Sequence, residues 1–206
     1  MSKRWMTERR NDPYTKAAKK MDYRSRASFK LIQIDDKFKL LKPGLTVADL
    51  GAAPGGWLQV AAERVGPKGR VVGVDLQPIE PLEGVGTVQG DMRKEDTVLD
   101  MLEALGGKAD LVLSDMSPNI SGSYNMDHAR SVDLCEHALE FAQKVLRPGG
   151  ALVMKVFEGD MMPELMKQVK ALFKEVKLYG PEASRASSSE IYIIARNYAG
   201  PAARKP

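Results

Sequence analysis

An α/β fold on a mostly parallel sheet is what this sequence predicts, and three observations predict it. From residue 46 onward, short apolar runs alternate with amphipathic stretches of helical length. That alternation indicates parallel strands joined by helices that cover both faces of the sheet. The 206 residues, 43% apolar and 28% charged, suit one compact domain with a sizeable core. Finally, polar residues able to do chemistry fall at the ends of the apolar runs, where open α/β sheets bind ligands.

The elements follow in order. Residues 12–20 lack an apolar stripe and read as a mobile basic arm or short helix; residues 1–22 are therefore assigned to an N-terminal arm, 23–197 to the domain and 198–206 to a tail. Ala27, Leu31, Ile34 and Phe38 keep the i, i+4, i+7, i+11 spacing of one helix face, with Ser25 as its cap, Lys30 at its border and Pro43-Gly44 beyond its end. Strands are expected at 46–50, 70–75, 87–89, 109–114, 151–157, 176–179 and 191–195, with helices near 57–65, 94–105, 131–146 and 163–173. The last two strands are joined only by the Ser-containing loop 180–189, too short for a parallel crossover, so an antiparallel hairpin is expected at one edge of the seven-stranded sheet.

Composition narrows the function. Apolar runs fall short of the roughly 18 residues of a membrane span, and the basic start (Lys3, Arg4, Arg9, Arg10) is not followed by a signal-peptide stretch, so a cytoplasmic protein is expected. Cys135 stands alone and only His128 and His137 accompany it, which leaves no internal disulfide and no zinc-like cluster; a metal is not expected, and Cys135 reads as an inert, partly buried thiol. Residues 1–42 carry 13 Lys or Arg against 5 Asp or Glu, whereas 43–206 carry 18 against 22. The positive charge is thus concentrated at the N-terminus, which suits either a polyanion partner or a solvated surface.

The strand ends carry the chemistry. Strand one ends at Gly51, two at Asp75, three is followed by Asp91, four by Asp115, five holds Lys155, and the last begins at Glu190. Asp49-Leu50-Gly51-Ala52-Ala53-Pro54-Gly55-Gly56-Trp57 is a strand, a glycine loop and a helix start, with Asp75 placed to accept from ribose hydroxyls. Ala53 replaces the middle glycine of the dinucleotide fingerprint and Pro54 removes an N–H donor, so a nucleoside cofactor without pyrophosphate, such as S-adenosylmethionine, fits better than NAD. Lys155 interrupts an otherwise apolar strand, and a buried ammonium requires a partner. Asp115 can pair with it while Lys30 brings a second cation, which favours a neutral amine, so Lys30, Asp115, Lys155 and Glu190 form a candidate proton-transfer set. An NAD-dependent oxidoreductase and a non-catalytic RNA-binding module are the competing readings.

Over residues 23–196 the chain resembles the FtsJ-type ribose 2′-O-methyltransferases, closest to those that methylate a uridine of large-subunit ribosomal RNA. The resemblance rests on Arg24-Ser25-Arg26-Ala27 with Phe29-Lys30-Leu31, the Asp49 to Trp57 loop, Ser114-Asp115-Met116-Ser117-Pro118-Asn119, Lys155-Val156-Phe157, and Ser184-Arg185 with Glu190-Ile191-Tyr192. It implies a Rossmann-like methyltransferase fold and a catalytic set at Lys30, Asp115, Lys155 and Glu190, with Lys155 as general base. It also implies S-adenosylmethionine contacts at Gly55, Trp57, Asp75, Asp91 and Asp115. Its RNA contacts would be Arg24, Arg26, Lys30 and Arg185, although residues 186–189 read Ala-Ser-Ser-Ser where the resemblance implies further arginines. The expected partner is ribosomal RNA, free or within the large subunit, met by a monomer without metal or membrane; transfer RNA and the messenger cap are the alternative substrates.

Overall fold

A computed structural model describes residues 12–185 and 188–200. The first eleven residues of the expected arm, residues 186–187 of the hairpin loop and residues 201–206 of the tail lie outside the described residues.

Residues 12–20 adopt the helical alternative. Helix α1 (Pro13–Lys20) begins with a proline in its first turn, and Asp12 caps it by accepting from the Tyr14 N–H at 3.0 Å. Tyr14 packs on Phe29 of α2 (Ser28–Phe38), with ring centroids 5.4 Å apart, and Ala18 is buried. Ser25 is not the cap of α2. That helix starts at Ser28, and its N-cap position is Ala27, whose methyl side chain cannot accept a hydrogen bond; the Ser28 hydroxyl donates to the Gly56 carbonyl.

The remainder alternates as expected: β1 (Thr46–Leu50), α3 (Gly56–Val65), β2 (Arg70–Asp75), β3 (Val85–Gln89), α4 (Glu95–Leu105), β4 (Ala109–Ser114), α5 (Tyr124–Val145), β5 (Leu146–Phe157), α6 (Met162–Leu172), β6 (Phe173–Tyr179) and β7 (Glu190–Tyr198). Two boundaries differ by five residues or more. Helix α5 starts seven residues before the expected 131, since its polar first turns carry no apolar stripe; Asp127 there accepts from Ser121 and Gly122 rather than packing. Strand β5 begins at Leu146, because Leu146 pairs with Ala109 and Ala151 with Leu111, so that residues 147–150 bulge between two pairings.

The sheet order is β3-β2-β1-β4-β5-β7-β6. All pairs through β5 are parallel, and β7 runs antiparallel between β5 and β6, giving the edge hairpin. Period-2 alternation divides the core. Ala48, Leu50, Val72, Val74, Leu152 and Met154 pack under α4, α5 and α6, while Val47, Val71, Leu113, Val153, Tyr192 and Ile194 pack under α2 and α3. Consecutive crossovers therefore leave on opposite faces between β1 and β4, and the crevice at their carboxyl ends is the topological switch point.

Candidate active site

Strand periodicity puts the polar residues of this crevice on the α2 and α3 side. Lys155 and Phe157 share a face with Val153, and across the antiparallel ladder Lys155 opposes Tyr192 while Phe157 opposes Glu190. A strand that begins where its neighbour ends thus returns Glu190 to the edge that carries Lys155.

Two ion pairs result. The Lys155 ammonium lies 3.0 Å from Asp115 Oδ1 and donates to the Asp115 carbonyl at 2.8 Å, with its side chain only 7% exposed. Lys30, from the second residue past the start of α2, lies 2.5 Å from Glu190 Oε1. Burial alone would push the Glu190 carboxyl up, but the Lys30 charge and hydrogen bond, the Ser184 hydroxyl and the Lys155 charge together hold it below the usual carboxylate range. Each amine thus has its own carboxylate, so the positive charge that Lys30 brings to the set is compensated by Glu190.

Tyr192 belongs to this set although its motif gave it no role. Its hydroxyl donates to Asp115 Oδ1 at 2.7 Å, and burial, with Asp115 and Glu190 nearby, raises its pKa well above 10, which keeps the donor protonated. Asp115 Oδ1 is therefore fixed from two sides. The Tyr192 ring stacks on Trp57, with centroids 5.9 Å apart. Trp57 itself is buried and its indole N–H donates to the Ala27 carbonyl at 2.8 Å. Its ring is core; what it can offer a ligand is its backbone N–H at the start of α3. That helix has no side-chain cap, so its first N–H groups are left for an external acceptor.

The glycine loop sits where a cofactor would need it. Gly55 has φ +107°, and a Cβ there would fall 2.8 Å from Arg24 Nη1. Asp75 accepts from the Ala53 N–H at 3.0 Å and the Gln77 N–H at 2.8 Å, so it shapes the loop it was expected to serve. Asp91 is gripped by the Arg93 guanidinium, 2.6 Å at the nearest, which lowers its pKa to about 2; nothing in the sequence pattern singles out Arg93. Beneath the loop lies the residue that opens its motif, to which the pattern assigns no role. Asp49 is 1% exposed, its Oδ2 has no hydrogen-bond partner, and burial followed by the carboxylates of Asp115 and Asp75 raises its pKa well above 3.8. A buried acid without a partner, facing two more acids, is a setting that a cationic ligand would relieve. S-adenosylmethionine carries both a sulfonium and an ammonium, and these residues fit it.

The expected RNA contacts divide. Arg24 donates to the carbonyls of Pro54, Glu80 and Pro81, which ties the glycine loop to the segment after β2. Arg26 lies 2.6 Å from Asp12, over the Tyr14 ring, and donates to the Ala183 carbonyl. Both guanidinium groups thus have partners within the protein. Arg185 is exposed at the hairpin loop, and Lys16, Lys19 and Lys20 are exposed on α1. Cys135 is buried, as an inert thiol should be; it donates to the Lys155 carbonyl at 3.0 Å, and burial pushes its pKa up to about 12. Among the described residues no group of acids, His or Cys is arranged to hold a metal ion, and no helix is long and apolar enough to cross a membrane.

Comparison with known proteins supports the family and the fold. Residues 23–198 match the model of the FtsJ-like methyltransferases. The chain is 52% identical over 191 residues to the ribosomal RNA large subunit methyltransferase E of Methanothrix thermoacetophila, covering 93% of this chain and 74% of that one. It is 49% identical over 205 residues to the protein of the same name from Coxiella burnetii, covering 97% and 96%. Among solved structures, one described as a ribosomal RNA methyltransferase from Plasmodium falciparum superposes with a TM-score of 0.79 at 30% identity, over 86% of this chain and all of that one. Aeropyrum pernix fibrillarin, with natively bound S-adenosyl-L-methionine, shares the fold alone, at 18% identity and a TM-score of 0.57 over 84% of this chain and 75% of that one.

Proposed function

From the premise that this chain belongs to the FtsJ-like methyltransferase family, we propose that it methylates a ribose 2′-hydroxyl of large-subunit ribosomal RNA, at a uridine of 23S-type RNA, using S-adenosylmethionine. The observation that carries the reading is the double ion pair, Lys155 with Asp115 and Lys30 with Glu190, at the switch-point crevice.

S-adenosylmethionine supplies a methyl group already activated on a sulfonium, so the protein's tasks are to position the hydroxyl and to handle its proton. Gly55, the backbone of Trp57, Asp75, Asp91 and Asp115 would hold the cofactor, with Asp49 below answering its positive charge. Lys155, once its resting ammonium has released a proton to solvent, acts as the base that receives the 2′-hydroxyl proton. Its two Asp115 oxygens are fixed before the reaction, one by the backbone and one by Tyr192, and they hold the ammonium form that the transfer produces. A preorganised acceptor pair of this kind stabilises charge as it develops rather than afterwards. Lys30, held by Glu190, steers the ribose. The nucleotide must be unpaired or extruded, since a duplex would keep its ribose out of the crevice. Exposed Lys16, Lys19, Lys20 and Arg185 meet the flanking phosphates.

The test is transfer of labelled methyl from S-adenosylmethionine to large-subunit RNA from cells lacking this protein, followed by mapping of the modified nucleotide. Label on a uridine 2′-oxygen is expected; label on a base, or none, would overturn the reading. Lys155→Ala should abolish turnover and leave cofactor affinity unchanged. Wild-type rate should climb with pH to a plateau, and a flat profile removes Lys155 as base.

A further inference from the structure

Beyond the two ion pairs, the same edge of the sheet carries a cavity that the reaction as described does not use. It measures about 290 Å³, near the lower end of the roughly 300–1,000 Å³ typical of ligand pockets, and is lined by Ile120, Gly122, Tyr124, Phe157, Ser188 and Ser189. Phe157 lies two residues past Lys155 on the same face of β5, about 7 Å along the strand, and it pairs with Glu190. Ser189 accepts from the Glu158 N–H. The cavity therefore opens beside the catalytic set at a separation comparable to that between a ribose and its own base.

Its wall is built to stay in place. The Tyr124 hydroxyl donates to the Glu158 carbonyl at 2.6 Å, which pins the polar end of the ring, yet the residue is 57% exposed. Asp127, one turn on, accepts from the Ser121 N–H, the Ser121 hydroxyl and the Gly122 N–H, folding the loop after β4 back on the helix. His128 donates through Nδ1 to the Phe157 carbonyl and accepts at Nε2 from the Met161 N–H, bracing the connection after β5. Ile120, which lines the cavity together with Tyr124 and Phe157, is exposed at 64%. An aromatic whose hydroxyl is satisfied by protein and whose face is open among apolar neighbours costs little further ordering when something flat covers it.

The lining residues include no Lys or Arg, but they include Asp127, held in the ionised form by the Ser121 and Gly122 donors. A phosphate is therefore disfavoured and a neutral, planar group is favoured. Ser188 and Ser189 also line the cavity, and serine hydroxyls can donate to and accept from the hydrogen-bonding edge of such a group.

We propose that Tyr124 and Ile120 form a stacking subsite for the base of the nucleotide whose ribose meets Lys155, so that Tyr124 sets the position of the target within the crevice. This rests on the methyl-transfer reading above. Tyr124 is a positioning residue: it holds the base and leaves the proton transfer to Lys155.

The experiment measures kcat/KM for labelled-methyl transfer to intact large subunits, and to RNA stripped of their proteins, from cells lacking this enzyme. S-adenosylmethionine affinity is measured for the same variants. On bare RNA, Tyr124→Ala and Tyr124→Leu should each lose roughly 5- to 100-fold, the range produced by removing one stacking aromatic. Tyr124→Phe and Tyr124→Trp should keep most of the activity, Ile120→Ser should show a smaller loss, and every variant should bind S-adenosylmethionine like the wild type. Wild-type efficiency in Tyr124→Ala overturns the subsite while leaving the methyltransferase reading intact. So does a loss seen only with intact subunits, which would place the ring against a ribosomal protein. A loss that also removes cofactor binding would mark a folding effect and likewise overturn it. Failure of the wild type to label either substrate overturns the underlying reading and the subsite with it.

Discussion

Asp49 and Glu190 are both buried carboxyls, and their shifts have opposite signs. Asp49 has a raised pKa in the fold, so the folded state holds its proton more tightly, and stability falls as pH rises from the unfolded value of about 3.8 through the raised one. Asp49→Asn should therefore raise the melting temperature of the cofactor-free protein at neutral pH. That gain should vanish in acid below the ordinary carboxylate range, and affinity for S-adenosylmethionine should drop; an unchanged affinity on calorimetry would remove Asp49 from the cofactor site. Glu190 has a lowered pKa, so its contribution is complete above the usual 4.5 and is lost as pH falls through the lowered value. Glu190→Gln leaves Lys30 buried without its counter-charge and should destabilise the protein by roughly 3–5 kcal/mol at neutral pH. Denaturant midpoints taken down the pH scale should show that deficit closing in acid. Of these residues, Lys155 was legible in the sequence because a cation inside an apolar run demands a reason. Tyr192 was not, because its partner Asp115 is 77 residues away, and Asp49 was not, because an unmatched oxygen is a property of packing and not of pattern.

The same contrast holds for whole elements. Strands β1, β2 and β4 were legible to their last residue, because their buried apolar runs stop at glycine or acidic residues. The first seven residues of helix α5 were not legible, because they serve loop capping and a brace on the β5 end, functions that leave no apolar period. Helix α1 is the opposite case: too polar to show a stripe, it is defined by one cap and one aromatic contact. Asp12→Ala removes that cap, worth about 1 kcal/mol, together with the Arg26 ion pair, and amide exchange should show α1 fraying while the sheet stays protected. If α1 binds phosphates, replacing Lys16, Lys19 and Lys20 with Gln should lessen the log–log salt dependence of RNA binding, by about 0.7 for each phosphate no longer neutralised on single-stranded RNA. An unchanged slope would mean that these lysines are merely solvated. At the glycine loop, Gly55→Ala sets a side chain at φ +107° against Arg24 and should cost cofactor affinity before it costs fold.

Across the whole molecule, the cofactor is expected to touch residues from β1 to β4, whereas the proton-handling set adds α2, β5 and β7. Saturation should therefore stabilise the entire cooperative unit: at about 100 times Kd the gain is ~2.7 kcal/mol, or roughly 5–10 °C in melting temperature for a chain of this size. Lys155→Ala should show the same rise although it transfers nothing, and a smaller rise would tie Lys155 to cofactor binding. The sequence foretold the hairpin but not that β7 would slot between β5 and β6. That choice is set by pairings as distant in the chain as Leu152 with Ala195, which no local pattern records. The arrangement has an outcome during synthesis. A nascent chain halted before residue 190 could lay down the parallel half of the sheet, yet β5 would keep an unpaired margin open to other chains and β6 would have nothing to join. Such a fragment should clump rather than simply lack activity, because one late strand both completes the crevice and seals the sheet against its neighbours.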